Sequence, residues 1–259
     1  LENFVEIPDF REVLQAFFDA LYLELVRKTM IQELRCQVKQ VTHHAERVYS
    51  LELEAERELP GFLPGQYLKL AIEQNGELRP FSIASAPGPN KRLRVIFAAH
   101  GRFSTRMENE LRPGSVVWVQ LPFGDFVIRP EPQVVLVAGG TGIAAFLAFL
   151  EGLQPGPESG ISLVYGARRV ELLLGLDRLQ NFNLRQVYFL EQPNGPVLLP
   201  GVVQHGPVSV AAFWEALPDP ARSTFYISGP PAMLKTVVSD LRLRGVASEH
   251  IRYDAWEPL

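Results

Sequence analysis

A chain of 259 residues is long enough for one large domain or two ordinary ones, and 47% hydrophobic with 21% charged residues is an ordinary globular composition. The net charge of −4 argues against a large electrostatic attraction to nucleic acid, and the single cysteine, Cys36, excludes an intrachain disulfide and a cysteine-ligated iron–sulfur cluster within these residues. No apolar run of about 18 residues reads as a membrane span. The opening LENFVEIPDF lacks the basic and apolar segments of a signal peptide, so the expected compartment is the cytoplasm, although the chain begins with Leu rather than Met.

Residues 1 to 33 predict a helix. Phe10, Val13, Leu14, Phe17, Phe18, Leu21, Leu25 and Met30 fall mostly three or four apart, and Asp9 is a candidate cap. Such a heavy apolar stripe packs either on the rest of the chain or on a partner, a homodimer through this helix being one form. Residues 34 to 130 hold six short runs of β-formers, RCQVKQV, RVYSLELEA, QYLKLAI, RPFSIA, RLRVIFAA and SVVWVQL, separated by turn material. GRFSTRMENEL reads as a short helix before the last of them. From 131 to 259 the rhythm changes. QVVLVAGG, ISLVYG, QVYFLE, TFYIS and HIRYDAW are strands alternating with helical segments, the signature of βαβ units. The expected fold is therefore an N-terminal helix (1–33), a six-stranded antiparallel β-barrel (34–130) and a doubly wound α/β domain with a five-stranded parallel sheet (131–259).

VVLVAGGTGIAAFLAFL is strand, glycine-rich turn, helix. Gly140-Thr141-Gly142 with Ala145, after Gly139, matches G-x-G-x-x-A, which permits close backbone approach of a pyrophosphate to a helix N-terminus. The acidic ribose ligand usual about 20 residues further on is absent in simple form. Arg168 and Arg169 stand there instead, either to meet a 2′-phosphate or as solvated surface, so NADH and NADPH are both open. RPFSIASAP is an odd strand, since Pro80 lacks a ladder N–H and Arg79 brings a charge. His43 and His44 point to opposite faces if they lie on a strand, and no metal site is expected. No G-x-S-x-G favours acyl transfer, and no basic stripe favours nucleic acid.

The ordered set GQY, RPFSIAS, GRFST, AGGTGI, YGAR and SGPPAM resembles the ferredoxin–NADP reductase superfamily, closest in style to the flavin-and-NAD modules of oxygenase reductases and to flavin reductases. The resemblance spans about residues 34 to 256 and implies FAD and NAD(P)H as cofactors. It implies that Arg79 holds the flavin phosphate, that Phe81, after Pro80, packs along the flavin, and that Ser82 hydrogen-bonds near flavin N5. A guanidinium at such a strand margin is then neutralised by an anion. Gly101, Phe103, Ser104 and Thr105 match the segment that meets the FAD pyrophosphate, though Ser104 or Thr105 also serves as a plain helix cap. Asp125 matches a barrel-closing turn. Gly229 and Pro230 match the segment beside the nicotinamide, with Ser228 where many relatives carry Cys. Trp256 stands where an aromatic, more often Phe, covers the flavin face, and Tyr253 is the alternative. The implied activity is an FAD-dependent NAD(P)H oxidoreductase serving a separate acceptor: a redox protein, a quinone, a small oxidant or free flavin. A reductase using flavin as a dissociable substrate and a non-catalytic flavin-binding subunit are the alternatives.

Overall fold

The computed structural model describes residues 33–89, 91–153, 160–193, 195 and 198–254. The helix expected near the N-terminus, the dimer surface assigned to it, and Trp256 lie outside these residues.

Six strands form the first sheet: β1 (Leu34–His43), β2 (Val48–Ala55), β3 (Tyr67–Ala71), β4 (Arg79–Ser82), β5 (Arg92–Ala98) and β6 (Val116–Phe123). All pairings are antiparallel, in the order β4-β3-β6-β1-β2-β5. An antiparallel bridge between Ile83 and Val95 draws the two outer strands together, so the sheet curls back on itself. Alternation drives this. In β1, Leu34, Cys36 and Val38 are buried while Arg35, Gln37 and Lys39 face water, so one face collapses inward onto Leu51, Leu68 and Val119. Cys36 is fully buried, and desolvation, helped by the nearby Glu56 charge, pushes its thiol up to about 12. Helix α1 (Arg102–Glu110) follows β5 and buries Phe103 and Met107. His43 and His44 diverge, His43 bonding to the Glu46 carbonyl and His44 to the Ser50 hydroxyl.

The second sheet is parallel and has six strands, not five: β7 (Val134–Gly139), β8 (Ile161–Ala167), β9 (Arg185–Leu190), β10 (Val202–His205), β11 (Thr224–Ser228) and β12 (Ile251–Tyr253), in the order β10-β9-β8-β7-β11-β12. The additional strand is β10. It escapes the sequence pattern because it is an edge of four residues, VVQH, none of them buried, between Gly201 and Gly206. β7 and β8 are buried at every position, as central parallel strands must be. The helical segment expected after β8 is broken at Gly175 (φ +72°), leaving a 3₁₀ turn at Val170–Leu172 and one α-turn, α3 (Leu176–Leu179).

Helices α2 (Ile143–Glu151), α4 (Val210–Trp214) and α5 (Pro231–Leu243) cover the sheet. Val135 and Val137 of β7 face α4 and α5 through Phe213, Leu234 and Val238, whereas Val134, Leu136 and Ala138 face α2. α2 is buried from Ile143 to Leu150 and has no polar face until Glu151. The reason is that Val48 and Ile96 of the first sheet and Ala84, just after β4, belong to the same apolar cluster, so the helix is packed from both sides. A charged cluster closes this junction. Arg94 of β5 donates to Glu52 of β2 at 2.6 Å and to Glu151 of α2 at 2.8 Å, and Arg178 of α3 donates to Glu151 at 2.7 Å. Among the described residues no helix is long and apolar enough to cross a membrane.

Candidate active site

In the parallel sheet the strand order reverses between β7 and β11, and in open α/β sheets ligands bind in the crevice at such a point. Facing it are β4, the end of β5 and the start of α1. Together they enclose a cavity of about 1410 Å³, larger than the roughly 300–1,000 Å³ of a pocket for one small ligand.

Arg79, Pro80, Phe81, Ser82, Gly101, Phe103 and Ser104 line the wall on the side of the first sheet. β4 pairs along its length with β3 alone, so Pro80 sits where a missing N–H does least harm. Arg79 is half exposed and its guanidinium is ion-paired to Glu77, a partner the sequence reading missed. The signal was present: an acid two residues earlier falls on the same side of an extended chain. Phe81 lies 6.3 Å, centroid to centroid, from both Phe97 and Phe103, which fixes its ring at the cavity edge. The Ser104 hydroxyl accepts from the Gly101 N–H and donates to the Gly101 carbonyl, both at 3.1 Å, which shapes the first turn of α1. Thr105 is not on the wall. Its hydroxyl accepts from Arg47 at 3.0 Å, one turn away from Glu108, which Arg47 also binds.

Gly139, Gly140, Thr141, Gly142, Arg168, Ser228, Gly229 and Pro230 line the opposite wall. Gly140 has a φ of +53°, and a Cβ there would meet nothing within 4 Å, so its backbone borders open space. A Cβ on Gly142 would instead lie 2.3 Å from the Ser228 carbonyl oxygen. The two turns are in backbone contact, and only glycine permits it. Tyr165 of β8, fully buried, donates to the Gly140 carbonyl at 3.1 Å and accepts from the Leu174 N–H at 2.9 Å, tying the glycine turn to the segment after β8. Arg168 and Arg169, just beyond β8, both reach Glu46 of the β1–β2 turn. Glu46 and Tyr165 were not anticipated, and no local pattern announces a contact between residues 46 and 169.

The Ser228 hydroxyl donates to Asp254 at 3.3 Å, and Asp254 also lines the cavity. Burial pushes the Asp254 carboxyl up to about 6, the Ser228 hydrogen bond pulling the other way. A raised folded-state value means that the folded protein holds this proton while the unfolded chain releases it. The contribution of this one group is therefore fully present below about pH 4 and lost as pH rises through about 6. We expect Asp254→Asn to remove that loss. The variant should gain on the order of 1–3 kcal/mol over wild type at pH 7.5, with the difference shrinking towards pH 4. Denaturant titrations of both proteins across this range test it, and a pH-independent difference would contradict it.

The donor set fits a flavin dinucleotide and a nicotinamide nucleotide. One wall offers a guanidinium and a helix N-terminus for phosphates, and the other a glycine turn with open space before a helix. Residues 33–128 match the family model of the oxidoreductase FAD-binding domain, and residues 136–239 that of the oxidoreductase NAD-binding domain. The reductase component of propane 2-monooxygenase from Mycolicibacterium goodii is 27% identical over 249 residues, 90% of this chain and 70% of that protein. The electron transfer component of 2-halobenzoate 1,2-dioxygenase from Burkholderia cepacia is 37% identical over 123 residues, 46% of this chain but only 36% of that protein. The flavohem-like FAD/NAD-binding domain of nitric oxide dioxygenase from Vibrio cholerae shares the fold, with a TM-score of 0.75 at 22% identity over 87% of this chain and 99% of that one. The chain belongs to the ferredoxin–NADP reductase superfamily, an FAD-dependent oxidoreductase that uses NAD(P)H.

Proposed function

We propose that the chain draws electrons from NAD(P)H through FAD and delivers them to a separate redox protein, the oxygenase component of a system like those in which its relatives are named reductase or electron transfer components. The observation that carries this reading is the single cavity bounded by Arg79–Ser82 and Gly101–Ser104 on one side and Gly139–Gly142 and Ser228–Pro230 on the other. When bound, FAD supplies the chemistry by accepting a hydride equivalent from NAD(P)H and releasing electrons singly or as a pair. The protein's part is orientation. Arg79 holds the flavin phosphate, and the first turn of α1 with Ser104 holds the pyrophosphate. Phe81 and Ser82 set the flavin ring. The glycine turn with Thr141 holds the nicotinamide nucleotide, and Ser228, Gly229 and Pro230 flank the nicotinamide. The domain limits 34–130 and 131–259 belong to the same reading.

The visible spectrum of the purified protein before and after anaerobic NADH, then NADPH, tests it. A flavin band that bleaches is expected. A flavin band that neither nucleotide bleaches would overturn the catalytic reading in favour of a non-catalytic flavin subunit. The Glu77 carboxylate on Arg79 favours a second reading, flavin as a dissociable substrate, because it competes for the phosphate anchor. Loss of yellow colour on gel filtration would support that second reading.

A further inference from the structure

At the end of the second strand, where doubly wound nucleotide sites usually carry an acid, Arg168 and Arg169 follow β8 directly and Glu171 comes only in the next turn, yet a carboxylate reaches that place. It arrives from the other domain. Glu46 lies in the β1–β2 turn with a φ of +50°, one of two non-glycine residues with positive φ among the described residues. Such backbone is uncommon outside glycine and asparagine, and it is held here by His43 bonding the Glu46 carbonyl at 2.6 Å. The turn aims the side chain at the end of β8, where one carboxylate oxygen is 2.6 Å from Arg169 Nη2 and the other 3.5 Å from Arg168 Nη2. Glu46 and Arg168 both line the cavity.

We propose that Glu46 selects NADH over NADPH. The inference rests on the reading that the Gly140–Gly142 turn holds the nucleotide, which brings its adenosine ribose to the end of β8. The two arginines there would form a 2′-phosphate site if left alone. Glu46 takes up the Nη2 groups that the phosphate would use and sets a negative charge against an incoming dianion. A ribose bearing a free 2′-hydroxyl meets neither obstacle, since a hydroxyl donates to a carboxylate. The arginines keep unused capacity, because Arg169 Nε is buried with no hydrogen-bond partner among the described residues. Removing the carboxylate charge should therefore convert the place into an anion site rather than merely empty it.

Glu46→Gln keeps the size and the turn while deleting the charge. With the full chain, half-saturation of anaerobic flavin bleaching should favour NADH in the wild type. In the variant it should shift towards NADPH by about tenfold relative to NADH, equivalent to about 1.4 kcal/mol. Calorimetry gives a readout independent of turnover: adenosine 2′-phosphate should bind the variant about tenfold more tightly than wild type, and adenosine 5′-phosphate equally to both. A wild type that prefers NADPH, or a ratio unmoved in the variant while NADH still bleaches the flavin, would overturn the role of Glu46 and leave the proposed function standing. Failure of both nucleotides to bind or bleach the wild type would overturn both.

Discussion

Gly142→Ala is expected to abolish productive NAD(P)H binding while leaving FAD in place. The added methyl would lie 2.3 Å from the Ser228 oxygen, 2.5 Å from its carbonyl carbon and 2.8 Å from the Gly229 nitrogen. These are backbone atoms at the end of a fully buried strand, so they cannot swing aside as a flexible side chain would. The glycine turn must retreat from β11, and with it the N-terminus of α2. Overpacking of this kind costs about 1–3 kcal/mol, which for a chain of this size lowers the melting temperature by roughly 2–12 °C. Flavin content should hold, because Arg79–Ser82 and Gly101–Ser104, the wall proposed for FAD, are carried by β4 and the start of α1. Gly61→Ala is the control, as a methyl there meets nothing within 4 Å. Thermal melts, flavin absorbance and nucleotide titration read the three effects separately, and unaltered NAD(P)H affinity in Gly142→Ala would refute the contact's role.

Arg79→Ala should weaken FAD binding at least tenfold. A hydrogen bond to a charged group contributes about 1.5–3 kcal/mol, and each 1.4 kcal/mol is tenfold in affinity. The fold should tolerate the change, because the Arg79–Glu77 pair lies about half exposed and such pairs add little to stability. Glu77→Gln makes the prediction two-sided. With its carboxylate neutralised, the guanidinium is released to the phosphate, and FAD should bind as tightly as in wild type or more so. Fluorescence titration of the apoprotein with FAD checks both variants, and an unchanged dissociation constant in Arg79→Ala would rule out the phosphate-anchor assignment.

Local patterns carried much of the architecture. The alternation of Leu34, Cys36 and Val38, and the unbroken apolar run of Val134–Ala138, each state how many faces of a strand are buried. β10 was invisible because an exposed four-residue edge has neither pattern. The site divides the same way. Residues that sit together in short segments, Arg79–Ser82, Gly139–Gly142 and Ser228–Pro230, were singled out from sequence and line one cavity. Partners defined only by tertiary approach were not: Glu46 on Arg169, and Asp254 on Ser228. Thr105 lies in a matching segment, and its hydroxyl is turned to Arg47. A segment tells which residues travel together, but not which way each side chain points on arrival.

The helix without a polar face has an implication for ancestry. Because α2 is enclosed by the parallel sheet on one side and by Val48, Ala84 and Ile96 on the other, neither half of the molecule owns a complete core there. A gene fragment encoding only the nucleotide half would leave that apolar surface facing water, an aggregation liability. Shuffling of such a gene would thus conserve the pair. New redox systems would acquire the flavin half and the nucleotide half as a single heritable cassette, with variation added at its margins rather than at the seam.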